Sequence, residues 1–380
     1  MKKPVVLLVL LFTFTIGYAQ QQLDISLRNE VTLSIQQALR FLEKTQLENG
    51  SWSQYPAITA LATTAFLRSP FNYTEQNSST VAKGIQFILK LQQSDGGIYA
   101  DMMKTYNTAI CLMALVATKN PAYDDAIRRA RDFLISQQFD EEEGYKPQDE
   151  IYGGIGYNNH GGTDLSNLEW ALQALKDSES YRKPSEASGK PMEHSGTTIA
   201  SSSQMKGVSN RELFWQKALI FVQRCQNHKK FNDRQWAGND GGFIYSPSES
   251  KAGDYTSYGS MSYAGLKSMI YAGLKKDDER VKAVVGWLQK NYTLEKNPQM
   301  GIQGLYYYYH GMSKALTAYG EDFITDSNNV KHNWRKEFAE KILSIQNGEG
   351  YWANQNNRWW ENNKDLVTSY MALALEEVLK

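Results

Sequence analysis

The sequence has little of several residues and patterns that would point directly to a function. Only two of its 380 residues are cysteine and five are histidine. The 41 acidic side chains balance the 41 Lys and Arg side chains, so the formal net charge is zero. That balance gives no reason to expect nucleic acid or an anionic membrane as a partner. The sequence shows no Ser-His-Asp order, no metal-type spacing of His and Cys, and no nucleotide-binding fingerprint. We therefore expect neither a metal nor a cofactor.

The two cysteines, Cys111 and Cys225, lie inside apolar helical patterns in different parts of the chain. An oxidising compartment would permit a disulfide between them, but nothing in the sequence requires one. We interpret both as small core residues.

The N-terminus carries the one long apolar run of the sequence. Lys2 and Lys3 precede the apolar stretch 5–16, and the segment 17–19 follows it and ends in the small residue Ala19. This order is typical of a secretory signal peptide. We predict cleavage near Ala19, an exported mature domain of residues 20–380 in the periplasm or outside the cell, and no integral membrane span in that domain. A retained anchor is the alternative, although the run is short for a membrane span.

What the chain does have is a short phrase that recurs. Each copy is an amphipathic stretch that ends at a glutamine, followed by glycine and an aromatic residue. The glutamine positions are Gln46, Gln92, Gln138, Gln226 and Gln346, with Tyr292 in a degenerate fifth copy. The glycines assigned to them are Gly50, Gly96, Gly144, Gly241, Gly301 and Gly350. Such repeats indicate one supersecondary unit copied in an array.

Each copy predicts a pair of helices. In the first copy Val31, Ile35, Ala38 and Leu39 form one apolar stripe, which predicts a helix with one buried face. A second, more uniformly apolar helix follows each glycine turn, over 57–67, 105–117, 164–175, 258–274, 307–319 and 365–379. Glycine supplies the positive φ with which a helix commonly ends. We predict an all-α fold, a single (α/α)6 toroid with the apolar helices inside; an open solenoid is the alternative.

One stretch interrupts this pattern. Residues 177–210 are rich in Ser, Thr, Lys, Gly and Pro and contain few apolar side chains. Such a segment buries too little surface to offset its ordering entropy. We predict a disordered insertion between the third and fourth repeats, acting as a linker or as a lid over the cavity.

The repeated phrase on paired helices resembles the squalene–hopene cyclase and protein prenyltransferase superfamily. The segments 153–157 and 255–261 resemble this group as well. The resemblance covers almost the whole mature chain, and it implies an α/α toroid. It implies an activity less directly, because the motifs that carry the chemistry are altered.

Cyclases of this family that protonate an alkene carry an Asp-x-Asp-Asp run, with the middle aspartate as the acid. The similar place here keeps Asp164 but has Ser166 at the acid position and Asn167 after it. A serine hydroxyl is too weak an acid for this step. The zinc ligands of the prenyltransferases are Asp, Cys and His; here His310 lies near the histidine position, while Thr256 and Tyr258 occupy the other two. A lone histidine does not make a zinc site.

In a toroid the N-terminal turns of the inner helices converge on one mouth, where free N–H groups and partial positive charge are available. The residues that we predict to bind a ligand there are Tyr106, Asn167, Thr256, Tyr258, Tyr309 and Asp365. The candidate catalytic residues are Asp164, His160 and His310. Helix capping is the alternative role of Asp164 and Asp365, and a solvated loop position that of His160. About two tyrosines of the run 306–309 are expected to face the cavity, unless they pack the core.

These observations lead to one main hypothesis and three alternatives. The main one is an exported toroid that binds or processes a small-molecule or lipid-like ligand, such as a polyisoprenoid, in a central cavity without the family's acid or zinc chemistry. The first alternative is a terpenoid cyclase with Asp164 as its acid. The second is a glycan-active enzyme, which requires two facing carboxylates. The third is a non-catalytic scaffold for a protein partner, which a cavity plugged by its own side chains would favour.

Overall fold

The computed structural model describes residues 23–158, 162–182 and 210–380, and over these ranges twelve α-helices alternate between two rings. The outer helices are α1 (Ile25–Thr45), α3 (Ser79–Lys90), α5 (Asp124–Ile135), α7 (Asn210–Arg224), α9 (Glu279–Lys290) and α11 (Trp334–Ser344). The inner helices are α2 (Pro56–Arg68), α4 (Lys104–Thr118), α6 (Leu165–Asp177), α8 (Gly259–Tyr271), α10 (Leu305–Tyr319) and α12 (Lys364–Val378). A short antiparallel hairpin, β1 (Phe323–Thr325) and β2 (Lys331–Asn333), connects α10 to α11.

The inner helices form a closed ring. Each contacts the next along the chain, and α12 packs against α2. The outer helix α1 packs against the outer helix α11 and the inner helix α12, so the first and last hairpins meet. The all-α (α/α)6 toroid predicted from the repeats is therefore confirmed, and the open-solenoid alternative is wrong.

The two rings differ in burial as their sequences predict. On α1 the stripe residues Val31, Ile35 and Ala38 are fully buried, whereas the opposite face of the helix is exposed. Burying one such Val or Ile side chain contributes about 1.5–3 kcal/mol. The inner helices are buried on nearly all sides, since each lies between two inner neighbours and an outer helix.

The repeated glutamines tie the hairpins together. The side-chain amide of Gln46 donates to the carbonyl of Gly50 in its own turn (3.0 Å) and to that of Thr80 in the first turn of α3 (2.9 Å). Gln346 donates to Gly350 (2.9 Å) and to Ser34 on α1 (3.1 Å), which joins the last hairpin to the first. Equivalent pairs of bonds are made by Gln92, Gln138 and Gln226. One residue type at one position thus fixes the turn and the next outer helix together.

The glycine of the third copy is Gly153, so the assignment to Gly144 is wrong. Gln138 donates to the carbonyl of Gly153 (3.1 Å). Gly153 has φ +81, and a Cβ atom there would lie 1.9 Å from the carbonyl oxygen of Lys217 on α7. Gly50, Gly96, Gly241 and Gly350 show the same positive φ and the same approach to a carbonyl of the following outer helix. Gly144 instead ends a single 3-10 turn, Glu141–Glu143, with open space around it.

The predictions for the cysteines, the signal segment and the insertion have different outcomes. Cys111 and Cys225 are buried and free, which confirms that they are core residues. The predicted signal segment 1–19 and most of the predicted insertion 177–210 lie outside the described residues. Of the insertion, residues 177–182 are described, which end α6 and add a 3-10 turn at Glu179–Tyr181, and residue 210, with which α7 begins. Among the helices that the structure describes, none is long and apolar enough to cross a membrane.

Candidate functional site

A cavity of about 310 Å³ lies where the six inner helices begin. Every inner helix contributes a side chain from its second or third residue; these are Ile58, Tyr106, Ser166, Met261, Tyr307 and Leu366. One turn further along their helices, Trp170 and Tyr370 also line it. The remaining lining residues are Tyr55, Met103, Tyr157, Tyr245, Lys251, Tyr258, Ser260, Gly304, Trp359, Trp360 and Glu361. Because ten of the nineteen lining residues are Tyr or Trp, we call it the aromatic cavity.

The tyrosine hydroxyls of the wall largely bond to one another and to nearby polar groups. The hydroxyls of Tyr106 and Tyr370 lie 3.2 Å apart, and that of Tyr307 lies 3.0 Å from Ser166 Oγ. Burial raises the pKa of Tyr106, Tyr307 and Tyr370, so these phenols stay neutral. The wall is therefore mostly uncharged aromatic surface.

The mouth of the cavity is built from strained backbone. Met103, Trp359 and Trp360 all line the cavity with φ values of +53, +55 and +63. Left-handed conformations at residues other than glycine cost about 1–3 kcal/mol each and cluster at functional sites. The two tryptophans are 44% and 52% exposed, and Trp360 meets the ring of Tyr55 edge-on at 5.1 Å. Large apolar side chains held at a mouth in this way mark a place that a ligand can contact.

Glu361 carries the only carboxyl group among the described residues that line the aromatic cavity. Its side chain is 1% exposed, and Oε1 accepts a hydrogen bond from the backbone N–H of Tyr307 at the start of α10 (2.8 Å). Oε2 accepts one from Asn354 Nδ2 (2.6 Å). Burial raises the pKa of Glu361 to about 7, although these hydrogen bonds favour the charged form. Both protonation states are therefore accessible near neutral pH.

Asp164 lies behind the cavity wall and caps α6. Its Oδ1 accepts from the backbone N–H of Asn167 (2.8 Å), and its Oδ2 from Asn167 Nδ2 (2.7 Å). Burial raises the pKa of Asp164 to about 6, while hydrogen bonds from Asn167 and from the Tyr245 hydroxyl oppose the rise. Tyr245 lines the cavity, whereas neither Asp164 nor Asn167 does. The capping role thus accounts for every described contact of the Asp164 carboxyl group except that of Tyr245.

Of the other predicted ligand-binding residues, Tyr106 and Tyr258 line the aromatic cavity. Tyr309 does not, because its hydroxyl donates to the carbonyl of Leu294 (2.5 Å) and its ring packs on Phe338 of the outer ring. Within the tyrosine run only Tyr307 lines the cavity, since four successive helical residues point in four directions.

Thr256 and Asp365 lie outside the aromatic cavity, in segments next to the mouth. Thr256 is half-buried in the loop before α8, and its carbonyl accepts from Ser250 Oγ (2.6 Å). Asp365, in the first turn of α12, accepts from Ser53 Oγ (2.9 Å). Neither contributes to the lining.

His310 lies deeper than predicted. Its ring stacks on Trp170, with the centroids 5.3 Å apart, and tilts against Tyr370 at 5.0 Å. Burial, together with Lys314 and Lys267, holds the pKa of His310 well below its ordinary value, so the ring is neutral. His160 lies outside the described residues, so the structure says nothing of the predicted pair.

Buried ion pairs fill the inner ring below His310. Lys267 on α8 pairs with Glu169 on α6, and Lys314 Nζ on α10 lies 2.5 Å from Glu377 Oε1 on α12. All four side chains are at most 5% exposed. Charged side chains thus fill the interior of the inner ring on the side of His310 away from the aromatic cavity.

Glu376 should make the toroid less stable as the pH rises. Burial raises its pKa to about 8, and neither carboxyl oxygen has a hydrogen-bond partner in the described structure. Because the folded pKa exceeds the unfolded one, the folded chain binds the proton more tightly, and stability is lost as the pH rises from about 4.5 through 8. Glu376→Gln should therefore gain stability over the wild type between pH 5 and pH 8, on the order of 3 kcal/mol, in urea unfolding.

The adjacent Glu377 provides a matched control of opposite sign. Burial pushes its pKa up, but Lys314, Lys380 and Arg68 hold it far below its ordinary range. A carboxyl with a lowered pKa adds stability above its unfolded pKa, so Glu377→Gln should lose stability at pH 8. Equal behaviour of the two variants across this pH range would contradict the assignment.

Glu361 is not among the site residues predicted from the sequence, and neither are most of the tyrosines that line the cavity. The lining residues of the inner helices share the second or third helical position. The N-terminal boundaries of the predicted inner helices, extended by this register, would have identified Ser166, whereas the predicted start at 307 lies two residues after the observed start of α10 and misses Tyr307. The loop residues Tyr55 and Tyr245 carry no such periodic signal.

The described residues contain no group of three or more His, Cys, Asp or Glu that could hold a metal ion. Metal binding by those parts of the chain therefore finds no ready-made site.

Known proteins resemble this chain in sequence and in fold. A family model of the squalene-hopene cyclase C-terminal domain matches residues 55–204. The chain is similar to a variant of the type II terpene cyclase MstE from Scytonema in complex with geranylgeranyl dihydroxybenzoate, its substrate (TM-score 0.51, 13% identity, covering 93% of this chain and 99% of that one).

Two glycan-active proteins are similar in fold as well. An unsaturated glucuronyl hydrolase specific for heparin has a TM-score of 0.57 at 10% identity, covering 92% of this chain and 97% of that one. A polysaccharide lyase has a TM-score of 0.53 at 12% identity, with the same coverage. At these identities the likeness to solved structures shows the fold alone. Together with the family match over residues 55–204, it confirms the resemblance drawn from the repeats: the chain has an α/α toroid fold and is similar to the squalene–hopene cyclase superfamily.

Proposed function

We propose that the protein is an exported toroid that binds a small isoprenoid ligand in the aromatic cavity, without the acid or zinc chemistry of the family that it resembles. The observation that carries the proposal is the cavity wall, in which ten of nineteen residues are Tyr or Trp. Aromatic rings combine large apolar area with little conformational freedom, which suits an unsaturated hydrocarbon chain. Export is supported by the signature of residues 1–19.

The size of the cavity narrows the choice of ligand. At the ~30 Å³ that a water molecule occupies in the liquid, 310 Å³ holds roughly ten water-sized groups. A geranyl group is of this size, whereas a triterpene would extend through the mouth past Trp359 and Trp360. The cavity therefore suits a short isoprenoid, or one end of a longer chain.

The position of the carboxyl groups argues against the cyclase alternative. An acid that protonates an alkene must lie within reach of it, and Asp164 lies behind the wall as a helix cap. Glu361 does line the cavity, but a pKa of about 7 makes it too weak an acid for this step. We therefore favour binding over cyclisation.

A sugar is the second candidate ligand, and the mouth of the cavity favours it. Trp359 and Trp360 expose about half of their surface there, as flat platforms on which a sugar ring can stack. Glycoside hydrolysis requires a second carboxyl group across the scissile bond. Among the described lining residues Glu361 has no such partner, so this candidate is a sugar binder rather than a hydrolase.

Filling the cavity provides the test. Ser166 is half-buried at the second position of α6 and lines the cavity, so Ser166→Trp places an indole inside it. We expect native mass spectrometry to show one geraniol per wild-type chain, and calorimetry to show an affinity at least about ten-fold weaker for the variant, because the ligand and the indole need the same space. Ser26→Trp, on the exposed surface of α1, is the matched control and should bind as the wild type does.

The same experiment separates the other hypotheses. The protein is first purified from its own cell envelope, so that a resident ligand or partner is retained. If the wild type retains a sugar and Ser166→Trp does not, the ligand of the cavity is a sugar, the second candidate, and not an isoprenoid. Geraniol binding that Ser166→Trp leaves unchanged, or an empty chain held in complex with another protein, would contradict the proposal and favour the scaffold hypothesis.

A further inference from the structure

Glu361 has a capping role that two other repeats give to an uncharged amide. A first-turn N–H group of α2, α8 and α10 is capped by a side chain from the following repeat. Asn107 Oδ1 accepts from Ala57 on α2 (3.1 Å), and Asn297 Oδ1 accepts from Ser260 on α8 (3.0 Å). Glu361 does the same for Tyr307 on α10 (2.8 Å). Capping alone therefore does not require an ionisable group at this site.

The protein contacts of the Glu361 carboxyl group are all donors. The backbone N–H of Tyr307 and the amide of Asn354 each donate to one of its oxygens, and the backbone N–H groups of Leu305 and Tyr306 also favour its charged form. When the carboxyl is ionised, the two hydrogen bonds leave part of its capacity for about four unused. When it is neutral, its O–H needs an acceptor, and none of these contacts provides one. In both states the unmet hydrogen-bonding capacity of Glu361 belongs to the aromatic cavity that it lines.

A hydrocarbon ligand would leave that capacity unmet. Closing the cavity over a buried carboxyl group whose hydrogen-bonding capacity is only partly met carries a desolvation cost that a hydroxyl-bearing ligand avoids. The hydroxyl groups of the nearby tyrosines have partners already, since Tyr106 pairs with Tyr370 and Tyr307 with Ser166. The polar group that a ligand would have to satisfy is therefore the Glu361 carboxyl.

We propose that Glu361 determines the specificity of the aromatic cavity by hydrogen bonding to a hydroxyl group of the ligand, which is therefore an isoprenoid alcohol rather than a hydrocarbon. This inference rests on the proposed function and deepens it. The chain of the ligand packs against the aromatic wall, and its hydroxyl lies at Glu361, at the N-terminal end of α10. A hydroxyl suits the site because it both donates and accepts, and so matches either protonation state of the carboxyl.

Three ligands with a common skeleton test the proposal by calorimetry on the wild-type protein. Geraniol can donate and accept, geranyl methyl ether can only accept, and myrcene can do neither. At pH 8.5, where Glu361 is ionised, geraniol should bind about ten-fold more tightly than the ether and myrcene, because only it donates to a carboxylate. At pH 5.5 the neutral carboxyl can donate to the ether oxygen, so the affinity for the ether should exceed that for myrcene several-fold.

Glu361→Gln identifies the group that titrates. Glutamine keeps the acceptor for Tyr307 but cannot ionise, so the affinity of the ether relative to geraniol should no longer change with pH. Asp164 also titrates in this range, and Asp164→Asn, which retains a good helix cap, should leave the pH dependence intact because Asp164 does not line the cavity. The tyrosines that Glu361 influences, Tyr306, Tyr309 and Tyr370, have raised pKa values and stay neutral throughout. Lys251, paired with Glu249, also lines the cavity.

The outcomes are distinguishable. Equal binding of myrcene and geraniol at both pH values would overturn the role of Glu361 while leaving the isoprenoid cavity in place. A pH response that persists in Glu361→Gln would overturn it as well. Failure of all three ligands to bind the wild type would instead contradict the proposed function. Since the ligand series is measured on the wild-type chain, a variant that folds poorly does not remove the test.

Discussion

Gly153→Ala is expected to destabilise the toroid by at least about 3 kcal/mol, whereas Gly144→Ala is expected to cost about 1 kcal/mol. Both glycines have a left-handed backbone, with φ of +81 and +84, so both alanines carry the same conformational strain. Only at position 153 would the new Cβ meet a neighbour, at 1.9 Å from the carbonyl oxygen of Lys217. That oxygen belongs to the backbone of α7, so relief requires moving the helix.

Urea unfolding of the two variants, followed by circular dichroism, measures the difference directly. Their common φ makes Gly144→Ala the matched control, since it isolates the clash from the strain. Equal losses of unfolding free energy in the two variants would show that the turn at Gly153 does not pack on α7 as described.

Lys267→Met is expected to cost about 3–5 kcal/mol, because it leaves the carboxylate of Glu169 buried without its cationic partner. Both side chains are at most 3% exposed. Burial already raises the pKa of Glu169, and Lys267 is the main group that opposes the rise. Gln173 also loses a hydrogen bond from Lys267 Nζ (2.5 Å).

The double variant Lys267→Met with Glu169→Gln should recover most of this loss, because the unpaired charge is gone. Unfolding free energies of the wild type, the two single variants and the double variant complete the cycle. If the double variant is as unstable as Lys267→Met alone, the loss arises from packing around position 267 and not from the charge of Glu169.

The helical part of the fold followed from the sequence because its signal is local. The stripe formed by Val31, Ile35 and Ala38 predicts a one-sided helix, and the observed burial matches it. The glycine of the third repeat was misassigned because the spacing differs between copies. From Gln46 to Gly50 it is four residues, whereas Gln138 and Gly153 lie fifteen apart, as do Gln226 and Gly241. Inserted turns of this kind have no periodicity, so only the packing on α7 identifies the structural glycine.

The candidate site could be placed at the inner-helix N-termini, but its individual residues could not all be chosen. Tyr106 and Tyr258 line the cavity. Asp164 illustrates the difficulty, since a capping aspartate and a cavity carboxyl look the same in a sequence. Glu361 was passed over for the opposite reason: it lies in a loop, and its link to Tyr307 crosses more than fifty residues of chain. Which carboxyl reaches a cavity is decided by tertiary packing.

The glutamine bonds that join the last hairpin to the first have a topological consequence. In an open array the terminal repeats need polar outer faces of their own. Here Gln346 binds Ser34 as Gln46 binds Thr80, and α1 covers α12, so the junction between last and first is built like the other glutamine junctions. The fifth repeat differs, because there the hydroxyl of Tyr292 donates to Glu337 on α11. A circularly permuted polypeptide, opened between α2 and α3 and joined from α12 to α1, would contain the same set of contacts and should close into the same ring.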